Sequence, residues 1–180
     1  MKQVVMLLSV LFILSCSEYS GQKSIGDKEW IASWIQPNDL IDTLNTWSAY
    51  RKTFEANEKG SAYIRLAVDS KYWLWLNDSL IVREGQLKRG PTPHSTYYDE
   101  LDISPYLSEG ENTLAILSWY FGKDGFSHKS SGKQGIIAEI WQEDRLMLGS
   151  DSTWKAIPHP AFSGLSAPPY PNWRLSESNI

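Results

Sequence analysis

Cysteine is nearly absent from this chain of 180 residues, in which Cys16 is the single example. A disulfide within the chain is therefore excluded, and a domain of this size has to rely on its hydrophobic core. Positive charge is also scarce, because 17 Lys and Arg stand against 21 Asp and Glu, for a formal net charge of -4. Proteins that bind nucleic acid carry clustered positive surface, so we expect no nucleic-acid partner.

Long apolar runs are missing as well. The apolar stretch 4–14, interrupted by Ser9, is about half the length of the roughly 20 residues that a membrane-spanning helix needs. Because Lys2 precedes it, the stretch is typical of a signal peptide, which we place at residues 1–15. Residues 16–28 are rich in Ser, Gly, Lys and Gln and are predicted to form a flexible tether.

The end of the apolar stretch, Ile13-Leu14-Ser15-Cys16, resembles the bacterial lipobox. The resemblance implies cleavage before Cys16 and attachment of diacylglycerol to its sulfur. Two or more acyl chains would hold the protein stably at a membrane. Ser17, where retained lipoproteins have Asp, points to the outer membrane, on its periplasmic or surface face. The alternative is a plain secretory signal that happens to contain the only cysteine.

The rest of the chain has little helical periodicity and reads as strands. Residues 62–68 alternate apolar inward positions with Tyr63, Arg65 and Ala67, the period of a half-buried strand. Turn residues at 77–79 predict a tight hairpin between strands at 72–76 and 80–82. Further strands are predicted at 97–98, 101–103, 113–121, 135–141, 145–148 and 153–157. We therefore expect an all-β sandwich over 29–157 and a Pro-rich linker over 158–180.

A short helical turn is predicted between two of these strands. Ser104 suits its N-cap, Pro105 its first position and Gly110 its end. The segment 102–112, with Asp102 and Ile103 before the turn, resembles the D-I-x-x-Y-L-x-x-G-x-N stretch of galactose-binding-like domains. The resemblance implies a jelly-roll β-sandwich of that class.

Four segments in order make the resemblance more specific: DSKYWLWLN at 69–77, GQLKRGP at 85–91, YYDE at 97–100 and LSWYFGKDGFSH at 117–128. They resemble the N-terminal β-sandwich of bacterial α-L-rhamnosidases of glycoside hydrolase family 78, including Bacteroides-type lipoproteins. Such enzymes hydrolyse terminal α-L-rhamnose from glycans, with catalytic carboxylates in a separate helical barrel that follows the sandwich. The resemblance thus implies a non-catalytic accessory domain, truncated before its catalytic domain and inactive alone. Its implied partners are that domain and, through the parent enzyme, a rhamnose-containing glycan.

The titratable residues give no catalytic or metal motif. Asp99 and Glu100 are adjacent in a predicted strand, so they should point to opposite faces rather than act as a pair. The three histidines, His94, His128 and His159, have no spacing suited to zinc. We expect no catalytic residue and no cofactor, with calcium at the loops of Asp78 or Asp151 left open.

The loop 122–135 and the aromatic residues are the remaining candidates for function. Lys123, Asp124, Phe126 and His128 are expected to pack on the catalytic domain or to rim its sugar pocket, unless the loop is simply solvated. Tryptophan is abundant, at nine residues, and an exposed ring can stack on a sugar. Trp119 and Tyr120 are the candidate platform.

The other interpretation of the tryptophans is that they fill the core or a domain interface. A free-standing carbohydrate-binding surface lipoprotein is therefore the alternative function. A purely structural interaction domain is a third.

Overall fold

The computed structural model describes residues 23–24, 29–38, 44–57, 60–87, 96–124 and 128–162. Within these ranges ten strands form: β1 (Lys23–Ser24), β2 (Thr46–Ala56), β3 (Ala62–Val68), β4 (Lys71–Leu76), β5 (Ser79–Gly85), β6 (Tyr97–Asp102), β7 (Gly110–Tyr120), β8 (Ile136–Gln142), β9 (Arg145–Gly149) and β10 (Lys155–Pro158). The described residues also include a 3₁₀ turn at Ser104–Tyr106. None of the described residues form a helix of the length and apolarity that crossing a bilayer requires.

The strands pair into two antiparallel sheets. The first sheet has the order β1-β6-β3-β8-β9, and the second has the order β10-β2-β7-β4-β5. Most neighbours in each sheet are distant in sequence, so the chain crosses repeatedly from one sheet to the other. The predicted all-β, galactose-binding-like jelly-roll sandwich is confirmed.

The core lies between the sheets and follows the alternation of side chains along each strand. In β3 the inward residues Ile64, Leu66 and Val68 are fully buried, as the sequence pattern predicts. From the second sheet, Leu74 and Leu114 enter the same cluster. At about 25 cal/mol per Å², this buried apolar surface supplies the main stabilisation that a chain without a disulfide needs.

Two local predictions were wrong. The strand β2 was not predicted, although it pairs with β7 from Thr46 to Ala56. Its inward row combines Ser48, Tyr50, Lys52 and Phe54, so it has the spacing of a strand without its hydrophobic alternation.

The second concerns Ser104, which is the first residue of the 3₁₀ turn and not its cap. Its hydroxyl oxygen accepts the Ala62 N–H at 2.8 Å and lies 3.2 Å from the Ala62 carbonyl, fastening the turn to β3. Gly110 does not end the turn, since it opens β7 with φ of 87°.

A buried carboxylate fastens the segment 29–38 to the outer face of the first sheet. Glu139 on β8 is fully buried, and its Oε1 accepts the backbone N–H groups of Ile31 and Ala32 at 2.6 and 2.9 Å. Its Oε2 accepts the Trp141 indole N–H at 2.9 Å and the guanidinium of Arg65. Burial alone would raise the pKa of Glu139, but these hydrogen bonds hold it below its ordinary value.

Arg65, the partner of that carboxylate, lies between two indole rings. Its guanidinium carbon is 4.9 Å from the Trp30 ring and 5.3 Å from the Trp141 ring. The Trp30 ring in turn meets Tyr98 edge-on at 5.5 Å. Cation–π contacts and a hydrogen-bonded ion pair make this buried charge tolerable, and together they cover the outer face of the first sheet.

The segments flanking the sandwich are partly ordered against it. Lys23 and Ser24, within the predicted tether 16–28, pair with β6, so the tether contains a short strand. Pro158, the predicted start of the linker, is the last residue of the edge strand β10, where a missing N–H is tolerated. Beyond it, Phe162 stacks on Trp47 with centroids 4.2 Å apart. The predicted signal peptide and the chain after Phe162 lie outside the described residues.

The side chain of Tyr72 packs directly on the backbone of Gly85. A Cβ atom at residue 85 would lie 2.3 Å from Tyr72 Cζ, a contact that the structure cannot hold. We expect Gly85→Ala to lower the free energy of unfolding by about 1–3 kcal/mol, because the buried Tyr72 ring must move. Urea denaturation followed by tryptophan fluorescence measures this.

Gly149→Ala is the matched control, since a Cβ there would meet its nearest neighbour at 3.5 Å, an ordinary contact. It should change stability by less than about 0.5 kcal/mol. Equal effects of the two substitutions would contradict the close packing of Tyr72 on Gly85.

Candidate functional site

Buried polar side chains gather at one end of the sandwich, where β3 and β7 end and β4 and β8 begin. We call this the loop end. Polar residues there that are less than a tenth exposed include Asn45, Asp69, Ser70, Lys71, Gln86, Thr96, His128 and Gln134. Buried polar side chains need hydrogen-bond partners within the protein, and functional sites often contain clusters of this kind.

Asp69 fastens the long loop 122–135 to the sandwich. Its Oδ2 accepts the N–H and the hydroxyl of Ser131 at 2.6 and 2.5 Å. Its Oδ1 accepts the Ser70 hydroxyl at 2.9 Å and lies 3.5 Å from His128 Nε2. The carboxylate is 2% exposed, so its hydrogen-bonding capacity is used internally.

Ser70, His128 and Asp69 are the residue types of a nucleophilic triad, but their arrangement differs from one. In a triad the histidine stands between the serine and the carboxylate. Here Ser70 Oγ donates directly to Asp69 and also accepts the Phe121 N–H at 3.0 Å. All three side chains are at most 2% exposed, and Ser70 has φ of 78°. The cluster therefore orders the loop and offers no accessible nucleophile.

A tyrosine and a carboxyl bridge the two sheets near the same end. The Tyr72 hydroxyl donates to Asp99 Oδ2 at 2.7 Å, from the second sheet to the first. Burial, more than any other cause, raises the pKa of Asp99, against the lowering effect of the hydrogen bonds from Tyr72 and the Gln86 backbone. Burial also raises the pKa of Tyr72, with a contribution from the charge of Asp99. The net shift makes Asp99 easier to protonate than an ordinary carboxyl.

The acidic residues of β6 do not converge. Asp99 points between the sheets toward Tyr72, whereas the next residue, Glu100, is in register with the outward-facing Arg65. Asp102 accepts the hydroxyl and the N–H of Ser104 at 2.5 and 2.9 Å, and these bonds lower its pKa. Each carboxyl has a separate environment.

The predicted aromatic platform is wrong. Trp119 and Tyr120 are 0% and 4% exposed, so neither ring presents a face to solvent. Trp119 is covered because it stacks on Trp47 at 4.7 Å and meets Phe121 edge-on at 4.6 Å. Its indole N–H donates to Asn45 at 2.7 Å, which satisfies the buried donor.

The loop residues predicted to face another domain fall into three groups. His128 is 1% exposed and packs against Phe121 and Asp69, so that role is wrong for its side chain. Lys123 is half-buried and Asp124 is exposed, which leaves both at the surface. Asp124 accepts Lys129 Nζ at 2.7 Å and the Ser130 N–H at 3.0 Å, which lowers its pKa. Phe126 lies outside the described residues, as does Cys16.

Metal ligands do not cluster in the part of the chain that the structure describes, where no group of three His, Cys, Asp or Glu side chains is found. Calcium takes six to eight oxygen ligands in most proteins. Asp151, one of the two positions left open for it, accepts the N–H and hydroxyl of Thr153 at 2.8 and 2.5 Å. Its carboxylate closes a local turn.

Asp99 should give the stability of the protein a distinctive dependence on pH. Because its pKa is raised in the folded state above the ordinary 3.8, it contributes stability at low pH that is lost as pH rises through the folded value. Asp99→Asn keeps an acceptor for Tyr72 and removes the titration. We expect its free energy of unfolding to fall less than that of the wild type as pH rises from the ordinary 3.8 through the raised pKa of Asp99.

Urea denaturation at a series of pH values measures the difference. Asp102→Asn is the control, because the pKa of Asp102 is lowered and its stabilisation is lost in the opposite direction, as pH falls. Parallel pH profiles for the wild type and Asp99→Asn would contradict the raised pKa.

The comparisons with known proteins bear on the fold and its relatives. No protein-family profile and no curated protein matches the chain. Among solved structures, the GH78 family rhamnosidase of Bacillus sp. GL1 is 31% identical over 73% of this chain, with a TM-score of 0.65.

Two further enzymes share the fold at lower identity. The α-L-rhamnosidase of Streptomyces avermitilis, solved with L-rhamnose, is 18% identical over 82% of the chain, with a TM-score of 0.54. The α-L-rhamnosidase of Aspergillus terreus is 18% identical over 72%, with a TM-score of 0.55. The chain spans only 14% to 17% of the length of these three proteins. It is therefore similar in structure to one β-sandwich domain of α-L-rhamnosidases.

Proposed function

We propose that the chain is a non-catalytic accessory domain of a larger α-L-rhamnosidase. The observation that supports this proposal is the similarity to the Bacillus sp. GL1 enzyme. The identity is 31% over 73% of this chain, which corresponds to only 14% of the Bacillus enzyme. A match of this kind is expected for one domain of a multidomain enzyme. The rhamnose-containing substrate and the catalytic partner belong to this proposal.

The environment of the acidic side chains supports a non-catalytic role. A glycosidase that inverts configuration needs two carboxyls about 6.5–9.5 Å apart across an open pocket, one of them with a raised pKa. Asp99 has the raised pKa but is bonded to Tyr72 between the sheets. Asp69 and Glu139 are buried and accept hydrogen bonds from their own chain. None of the three is placed to reach a sugar.

The test uses the complete chain after Cys16, purified and incubated with p-nitrophenyl α-L-rhamnoside. We expect release of p-nitrophenol at the rate of a buffer control, because Asp69, Asp99 and Glu139 are held by hydrogen bonds within the chain. Saturable turnover would contradict the proposal. Sequencing the DNA after codon 180 is the second test. A coding region for a helical-barrel glycosidase there supports the proposal, and the absence of such a region contradicts the proposal.

Titration of the same sample with L-rhamnose separates the alternative function. Tryptophan fluorescence that saturates at millimolar sugar, together with no downstream glycosidase coding region, would favour a free-standing carbohydrate-binding lipoprotein.

We further propose that Cys16 anchors the domain to the outer membrane. The lipobox-like segment Ile13-Leu14-Ser15-Cys16 and the unique position of the cysteine support this. In a Gram-negative host given radiolabelled palmitate, the wild type should carry the label and fractionate with membranes. Cys16→Ser should lose both properties. Export of an unlabelled wild-type protein would show a plain secretory signal and contradict lipidation.

A further inference from the structure

The outer face of the second sheet presents two aligned rows of side chains. The first row crosses four strands through Ile157 on β10, Ala49 on β2, Leu117 on β7 and Trp73 on β4. The second row is one strand period further on, and it contains Lys155, Arg51, Ala115, Trp75 and, on β5, Leu80. We call these two rows the outer-face rows.

The outer-face rows follow from strand alternation. Tyr72, Leu74 and Leu76 point into the core and are fully buried, so Trp73 and Trp75 between them must point outward. Both tryptophans are only half-buried. The sequence alone favoured a core or domain-interface position for the tryptophans. Trp73 is partly buried against the cluster of Trp47, Trp119 and Phe121, with its ring 5.2 Å from that of Trp47.

Exposure is greatest at the two edges of the rows. Ile157 is 55% exposed and Leu80 is 45% exposed. The central positions carry small residues, Ala49 and Ala115. The rows thus combine small apolar residues with Trp73 and Trp75 on β4 and with a cationic edge on β2 and β10.

The cationic edge consists of Arg51 and Lys155, which face each other across β2 and β10. Both side chains are exposed. In the described part of the chain neither takes part in an ion pair, although four other charged pairs form there. On a protein with net charge of -4, two adjacent unpaired cations on an apolar face are a specific feature.

We propose that the outer-face rows bind an acidic oligosaccharide. The C–H faces of its pyranose rings lie on Trp73 and Trp75, whose electron-rich rings attract them. Its carboxylates meet Arg51 and Lys155, which supply charge-assisted hydrogen bonds.

The spacing fits a chain of sugars rather than a single one. Arg51 is two strands from Trp75 and Lys155 is three, which at about 4.8 Å per strand places the cations about 10 and about 14 Å from the tryptophan. This site is independent of the accessory role, because a multidomain enzyme and a free-standing lipoprotein can both use it.

The experiment is isothermal titration of the complete chain after Cys16 with an oligogalacturonide as the acidic probe. A neutral maltooligosaccharide of equal length is the sugar control, and poly-glutamate is the charge control. We expect saturable binding of the acidic sugar that weakens with added salt, and binding of each control weaker by about tenfold or more.

Substitutions locate the site. Arg51→Gln with Lys155→Gln, and separately Trp75→Ala, should each weaken oligogalacturonide binding by about tenfold or more. The matched controls remove two exposed cations from other surfaces, Lys133→Gln with Arg145→Gln, or remove the 48% exposed Trp34. These controls should change the affinity less than about twofold. Circular dichroism and urea denaturation verify that every variant is folded.

Four results would overturn the proposal. Equal binding of poly-glutamate would show a general polyanion surface, and equal binding of the neutral sugar would remove the role of the cations. A dimer in analytical ultracentrifugation that Trp75→Ala dissociates would show that the face joins two copies of the chain. No binding of oligogalacturonide would also reject it.

Discussion

The buried carboxylate of Glu139 is the interaction on which the asymmetry of the sandwich depends. A charge taken out of water costs several kcal/mol unless hydrogen bonds replace its hydration. Glu139 obtains four, two of them from the backbone of the segment that precedes β2. That segment must therefore lie across the first sheet, where Ile35 also pairs with Ile136. The outer face of the first sheet is closed, and the open face belongs to the second.

Strand parity and local packing together decide what each aromatic residue does. Trp73 and Trp119 both lie on the outer face of the second sheet, yet only Trp119 is fully buried. Trp47 packs against both rings, at 5.2 Å from Trp73 and 4.7 Å from Trp119. Trp119 has a second aromatic neighbour, Phe121, at 4.6 Å. The alternation in a sequence shows which side chains of a strand share a face. It does not show which neighbouring side chains cover them. This is why Trp119 and Tyr120 were predicted to form the aromatic platform, although both are buried.

The sequence predicted the features that depend on local patterns, and it did not predict those that depend on contacts between distant segments. The strand 62–68 and the hairpin of β4 and β5 were predictable, because their alternation and turn residues are local signals. The strand β2 was not, since its position between β10 and β7 is set by pairing and not by its own pattern. The cluster at the loop end was not predictable either. Ser70 and His128 are 58 positions apart, and only the folded sheets bring them within 3.3 Å.

The stack of Phe162 on Trp47 has a consequence for anything attached after it. The two rings are nearly parallel, with an interplanar angle of 15°, so the last described residue is held against the sandwich at a point beyond the end of β10. Trp47 is one alternation step from Ala49, which places that point beside the outer-face rows. A neighbour joined here would have a high effective concentration at that face. The binding of a ligand and the docking of a neighbour would then be competing events within one molecule, and the length of the connecting chain would set the balance.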